Sequence, residues 1–244
     1  MTATEQKALA FLEQDALESI DMQEPLRRGF ARVLYVGKDG VQLDVHGTIM
    51  QRAANEQAAD RLVRRLQKAP KLFTAHKLWD KAAFEKYFCG ADTFGGLSCN
   101  PCRFAVYTSK KPLPVSPVFS IRQLTLHYAP AVNQQYHLFN DSPYIEKLVR
   151  AGVFYGAFVG EELAGFIGKH AEGALGMLEV YPKFRRQGVG IALEADAVNR
   201  SLAKGQVPFG DVILGNDASF ALQRSMGFSI PTAEHYWLMT EPKK

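Results

Sequence analysis

Residues 177–190 read Met-Leu-Glu-Val-Tyr-Pro-Lys-Phe-Arg-Arg-Gln-Gly-Val-Gly, and no other stretch narrows the choice of fold as sharply. The pattern is an apolar strand ending near Val180, a basic turn, and a helix that opens on Gly188 and Gly190 and stops at Gly205. Glycine brings backbone close to a ligand because no side chain intervenes. The first N–H groups of a helix lack intrahelical partners and carry the positive end of its dipole, which suits a diphosphate. Arg185 and Arg186 supply charge-assisted donors at the rim. Two other phosphate motifs are absent. Leu193 stands where a dinucleotide fingerprint needs its third glycine, and no Gly-Lys-Ser/Thr follows the turn. A tight strand-to-helix turn with solvated arginines is the plain alternative.

The rest of the chain alternates helix and strand signals. In the first half, apolar spacing predicts a helix over 4–17, then a hairpin of strands 30–36 and 41–47 about Asp39-Gly40. A helix over 56–67, a strand at 71–75, a helix over 80–88 and a strand at 103–108 follow. In the second half, strand 120–127 precedes a helix over 141–151 with an Asp141-Ser142-Pro143 start. Strands 154–159, 163–170 and 174–180 lead to helix 189–203, strand 209–214, helix 218–226 and strand 235–240. Pro112, Pro114 and Pro117 fit neither a helix nor a central strand. Residues 111–117 therefore read as a linker between domains 1–110 and 118–244. The related element order of the halves suggests an ancient duplication.

Composition excludes several classes. With 47% of 244 residues hydrophobic, the chain can bury a core without metal or disulfide staples. Lys+Arg number 29 against 25 Asp+Glu, and that mild, dispersed excess argues against a nucleic-acid partner. No apolar run nears the roughly 18 residues of a membrane span. The acidic start lacks a signal-peptide pattern, and three cysteines make no disulfide framework. A soluble cytoplasmic protein is the expectation, with its oligomeric state open.

Arg185-x-x-Gly188-x-Gly190, preceded by Val180-x-Pro182, resembles the acyl-CoA-binding motif of the GNAT acyltransferase superfamily. Asn216-Asp217-Ala218-Ser219 followed by Met226-Gly227-Phe228 is similar to that superfamily's second signature. Gly156-Ala157-Phe158, Gly165-Phe166-Ile167-Gly168, the Pro-x-Phe-Arg-Arg turn and Pro208-Phe209-Gly210 look like its glycine N-acyltransferase-like branch. The likeness covers residues 120–240. It implies an α/β (α+β) fold, with a mixed, mostly antiparallel central sheet flanked by helices. The expected arrangement is a tandem of GNAT-like halves. The first is divergent and lacks the Arg-x-x-Gly-x-Gly turn; the second is intact and catalytic. The resemblance also implies acetyl-CoA or another acyl-CoA as donor, a small amine or amino acid as acceptor, and direct attack in a ternary complex. In the family, the strand that here carries Leu178, Glu179 and Val180 splays from the next strand, and the pantetheine arm lies in the gap. Carried over, Leu178 and Val180 offer backbone groups to the arm and thioester. Arg185, Arg186, Gln187, Gly188, Val189 and Gly190 cradle the diphosphate, and Asn216 with Ser219 completes the cofactor contacts. Asn216 also suits a helix N-cap.

The implied chemistry needs a base for the amine and a backbone N–H near 178–180 for the oxyanion. The family's usual carboxylate lies six residues before Val180, where this chain has Ala174. Glu179 is therefore the expected catalytic base, with Glu172 and water as alternatives. The tyrosine that many members place seven residues after the asparagine is Gln223 here. A thiol of pKa about 8.5 leaves without much help, so this loss is tolerable. Both departures nonetheless favour the competing reading, an inactive CoA-binding sensor or scaffold. Tyr136, His137, Tyr144, Tyr236 and Trp237 read as packing or acceptor-site aromatics. Cys99-Asn100-Pro101-Cys102 with Cys89 and His76 has ligand types for zinc, but one Cys-x-x-Cys with irregular partners reads as ordinary thiols, and no metal is expected.

Overall fold

The computed structural model describes residues 1–89, 96–136 and 142–241. Its first half runs α1 (Ala3–Leu12), a 3-10 segment (Glu13–Glu18), α2 (Ile20–Arg27), β1 (Arg32–Gly37), β2 (Gly40–Val45), β3 (Thr48–Ala53), α3 (Glu56–Val63), β4 (Leu72–Ala75), α4 (Leu78–Phe88) and β5 (Gly96–Val106). Its second half runs β6 (Ser120–Gln123), α5 (Ala129–Gln135), α6 (Ser142–Arg150), β7 (Tyr155–Val159), β8 (Glu162–Lys169), β9 (Leu175–Val180), α7 (Val189–Leu202), β10 (Phe209–Ile213), α8 (Asp217–Ser225) and β11 (His235–Glu241). None of the helices, among the described residues, is long and apolar enough to cross a membrane.

Local chemistry explains where this departs from the sequence reading. The predicted helix 4–17 ends at Leu12, because Asp15 leaves helical geometry at φ −130°, ψ 64°. A strand that periodicity did not reveal, β3, follows β2 through a two-residue turn. His46 and Gly47 both take positive φ there, 52° and 92°, as a type I′ hairpin demands. The predicted strand 120–127 stops at Gln123, and α5 starts with a proline in its first turn, where the missing N–H costs nothing. With these additions the order helix-helix, three strands, helix, strand, helix, strand occurs twice, from α1 to β5 and from α5 to β11.

Two sheets form. One has the order β1-β2-β3-β4-β11-β5-β10, the other β6-β7-β8-β9. From β1 through to β5 in the first sheet, and throughout the second, neighbours pair antiparallel except β3 with β4, so the mostly antiparallel expectation holds. The last strand lies inside the first sheet. Trp237 faces Thr74 of β4 on one side and Asn100 of β5 on the other. The chain accordingly divides into a unit of Met1–Val106, Asp211–Asp217 and Ser229–Lys244, and a unit of Tyr107–Gly210 and Ala218–Phe228. The predicted division at 111–117 follows chain order, whereas these units interleave the C-terminal segments.

Each unit has its own core. In the first, Phe73 of β4 stacks on Phe84 of α4 at 4.5 Å in one cluster, while Leu12, Met22, Leu26, Leu43 and Met50 form a second. In the second, Val132, Ile145, Phe154, Phe158 and Phe166 lie between the α5–α6 pair and the sheet. Each buried Phe contributes roughly 1.5–3 kcal/mol relative to exposure.

Candidate functional site

The site is built on β9, the edge of the four-stranded sheet. An edge strand leaves one row of backbone N–H and C=O groups without ladder partners. Gly165 faces Val180 and Phe166 faces Glu179, but the next pair is Gly168 with Gly176. Strand β9 thus carries one extra residue, and Met177 takes a φ of 51°. This is a β-bulge, a device that bends a strand and re-aims its groups. The pairing is close. A Cβ on Gly165 would lie 2.6 Å from the Glu179 carbonyl oxygen, so only glycine fits. Leu178, Glu179 and Val180 follow the bulge half-buried.

Beyond Val180, Tyr181 donates its N–H to the Ala164 carbonyl at 3.0 Å, and Pro182–Phe184 form one 3-10 turn anchored by buried Phe184. Arg185 is extended and donates Nε–H to the Val180 carbonyl at 3.3 Å. Gln187 donates Nε2–H to the Lys183 carbonyl at 3.0 Å. Two of the predicted cofactor residues therefore hold the turn itself, and the Val180 carbonyl is already engaged. Arg186 is left-handed, φ 63°, and exposed, and makes no ion pair among the described residues. Gly188, at φ 87°, stands at the N-cap of α7 and supplies no side-chain cap. The charged donors and the uncapped helix end sit on one turn.

Gly190 separates local need from ligand need. It lies in α7, and a Cβ there would meet Val180 Cγ2 at 3.7 Å and Leu222 Cδ2 at 4.0 Å, ordinary contacts. The fold alone would tolerate alanine. The corresponding junction in the first half is closed. Only residues 54–55 join β3 to α3, and the Asn55 side chain caps the helix by accepting from Ala58 N–H at 2.9 Å. Ala53 N–H, at the end of β3, donates to the Asp80 carboxyl at 3.2 and 3.3 Å. Burial pushes Asp80 up to about 6. No arginine pair and no open helix end remain there.

On the α5–α6 side, burial raises the pKa of the Tyr136 hydroxyl, and Tyr144, Glu179 and Glu172 add to that rise through their charges. The same four residues are thereby brought into one electrostatic neighbourhood. Glu172 is 5% exposed, in the loop before β9, and Ala174 is fully buried. An open groove of ≈ 510 Å³ is lined by Tyr181, Pro182 and Phe184 together with Tyr128 and Leu163. Glu194, which sequence reasoning passed over, is 2% exposed on α7 and accepts a hydrogen bond from Gln223. Its signal was an acid within the otherwise apolar face of that helix.

Asn216 is exposed in the turn after β10, in the first unit, while Ser219 is half-buried in the first turn of α8, in the second. Tyr236 and Trp237 pack into the first unit's cores. His137 lies outside the described residues, as does Asp141. Cys99 and Cys102 sit three apart on β5, an odd spacing that puts them on opposite faces. His76 is committed to Asp21 and to the Gln51 carbonyl. The described residues hold no cluster of three or more side chains suited to a metal.

A family model described as FR47-like protein matches residues 151–238. No curated protein matches the chain in sequence. Among solved structures, a Drosophila protein is 18% identical with a TM-score of 0.66, over 99% of this chain and 89% of its own. A GNAT-family protein from Novosphingobium aromaticivorans is 17% identical with a TM-score of 0.52, over 98% and 97%. A GNAT-family acetyltransferase from Colwellia psychrerythraea is 12% identical with a TM-score of 0.52, over 96% and 97%. The fold is that of the GNAT acetyltransferases.

Proposed function

We propose that this chain is an acyl-CoA-dependent N-acyltransferase that transfers an acyl group, acetyl above all, to a small amine or amino acid. The carrying observation is the contrast between two strand-to-helix junctions that occupy the same place in the repeated element order. The β9–α7 turn presents Arg186, a glycine N-cap and an uncapped helix end, while the β3–α3 junction is filled by Asn55 and Asp80. An open, arginine-flanked helix N-terminus suits the diphosphate of CoA. In this reading, Arg185 through Gly190 hold the diphosphate and the backbone of Leu178 and Val180 meets the arm. The bulge at Met177 aims a backbone N–H at the thioester oxygen, which gains charge as the amine attacks. Glu179 takes the amine's proton. The tandem arrangement and the place within the glycine N-acyltransferase-like branch belong to the same proposal, with the first half as the copy that does not bind CoA.

Calorimetry of the full chain with acetyl-CoA tests the donor, and absence of binding at hundreds of micromolar refutes it. Release of free CoA with a panel of amines and amino acids tests the transfer. The second reading, a CoA-binding sensor, is favoured by Ala174 in place of the usual carboxylate and by Gln223 in place of tyrosine. Tight binding with no CoA release across the panel would select it.

A further inference from the structure

Glu194 and Gln223 are the buried polar pair that the proposed transfer leaves unused. Glu194 lies four residues after Gly190, so the two share one stripe of α7 and stand about one helical turn apart, a rise of about 6 Å. The Cβ direction of Gly190 points to Val180 of β9 and to Leu222 of α8, the neighbour of Gln223 in sequence. Glu194 is 2% and Gln223 5% exposed, and the Gln223 side chain donates to the Glu194 carboxyl. The amide's other end, Gln223 Oε1, is buried without a partner. A carboxylate cannot satisfy that oxygen, because it has no hydrogen to give. A neutral carboxyl can. It closes a cyclic pair with the amide, O–H to Oε1 and Nε2–H to carboxyl oxygen, and leaves nothing buried and unmet.

We propose that Glu194 carries a proton and clamps α7 to α8 through Gln223, so that the helix end forming the CoA diphosphate turn is held in place only while that proton is present. Glu194 is thus a positioning residue for cofactor binding, and the clamp rests on the CoA reading above. Burial agrees with this, pushing the Glu194 carboxyl up to about 7, with the Gln223 hydrogen bond the one opposing influence. The other ionisable groups on the elements around it act elsewhere. Tyr155 of β7 lies under Arg200, Glu162 of β8 pairs with Lys183, and Lys169 of β8 binds Ser201 and Gln206. Glu179 of β9 acts on Tyr136, Asp196 of α7 pairs with Arg200, and Arg224 of α8 covers Phe220, beyond Asp217 at that helix's start. None of them bears on Glu194. The sign follows. The folded value lies above the ordinary carboxyl value, so the proton's contribution is complete below about 4.5 and is lost as pH rises through about 7.

The test follows acetyl-CoA affinity and melting temperature of the full chain between pH 6 and 8.5 for wild type, Glu194→Gln and Gln223→Leu. Wild type should lose about five- to tenfold in affinity across pH 7 relative to Glu194→Gln, a size ordinary for coupling between sites. Glu194→Gln keeps an amide pair without a titrating proton, so its affinity and its melting should lack the pH 7 step. Gln223→Leu should keep the melting step, because Glu194 stays buried, but lose the affinity step. Binding whose pH profile is the same in all three proteins overturns the clamp and leaves the cofactor reading standing. Wild type that binds no acetyl-CoA at any pH refutes the cofactor reading instead. A melting profile unchanged in Glu194→Gln overturns the proton assignment by itself.

Discussion

Replacing Gly190 by alanine asks whether that glycine serves the fold or a ligand. The residue is helical, and the new methyl would sit 3.7 Å from Val180 Cγ2 and 4.0 Å from Leu222 Cδ2. Neither neighbour has to move. Within a helix alanine is more stable than glycine by roughly 0.5–1 kcal/mol. For a chain of this size that raises the melting temperature by about 1–4 °C. If a diphosphate lies against the same backbone, the methyl overpacks the contact at a cost of about 1–3 kcal/mol. That loss weakens acetyl-CoA binding by roughly 5- to 150-fold. The expected signature is therefore a protein that melts higher and binds worse, read by calorimetric melting and titration on one preparation. Gly188→Ala should do something different. Its site is open to a methyl but its φ is 87°, so alanine pays about 1–2 kcal/mol in left-handed backbone and the melting temperature falls. A Gly190→Ala protein that gains stability and binds acetyl-CoA as wild type does would refute the ligand role. One that loses stability would refute the contact geometry.

Arg186 is exposed and free of ion pairs among the described residues, so Arg186→Ala should raise KM for acetyl-CoA about tenfold with kcat unchanged, melting included. Glu179→Gln should lower kcat by about 100-fold at near-normal acetyl-CoA KM if the carboxylate is the base. An unchanged rate would assign the proton to Glu172 or water. In the first unit His76 Nε2 lies 2.7 Å from Asp21 Oδ1, and its Nδ1 lies 2.9 Å from the Gln51 carbonyl. Both neighbours accept, which calls for a doubly protonated ring. Burial opposes that charge, but Asp21 outweighs it and raises the His76 pKa. Asp21→Asn should cost about 3–5 kcal/mol, some 6–20 °C of melting temperature. The gap should be widest below pH 6.5 and close as pH rises through the raised value, and a constant gap would show that His76 is neutral.

Much of the second half was legible because its signals are local. The hairpin of β7 and β8, the strand-to-helix turn at Arg185–Gly190 and the stop at Gly205 each depend on neighbouring residues, and all stand where the sequence put them. The bulge at Met177 was not legible, since an extra residue in one strand is defined only against its partner β8. Strand β3 was hidden because His46-Gly47 makes a tight turn without the usual Asn-Gly or Asp-Gly. The pairing of β11 with β4 and β5 was beyond any local pattern, because its alternation fits many neighbours. Glu194 was visible as a letter. Its burial and its partner, which give it meaning, are tertiary facts.

The position of β11 also sets a timetable for biosynthesis. When the ribosome has released Val106, β4 and β5 exist, but the strand that fills the space between them ends at Glu241. At about 5–20 residues per second, that strand arrives on the order of ten seconds later. Throughout that interval the nascent chain holds two strands with unmet edges, the condition that invites pairing with a neighbouring polypeptide. Ribosome-bound chaperones would find their clearest purpose here, and a ribosome stalled anywhere before the final strand would yield a product unable to close its first sheet.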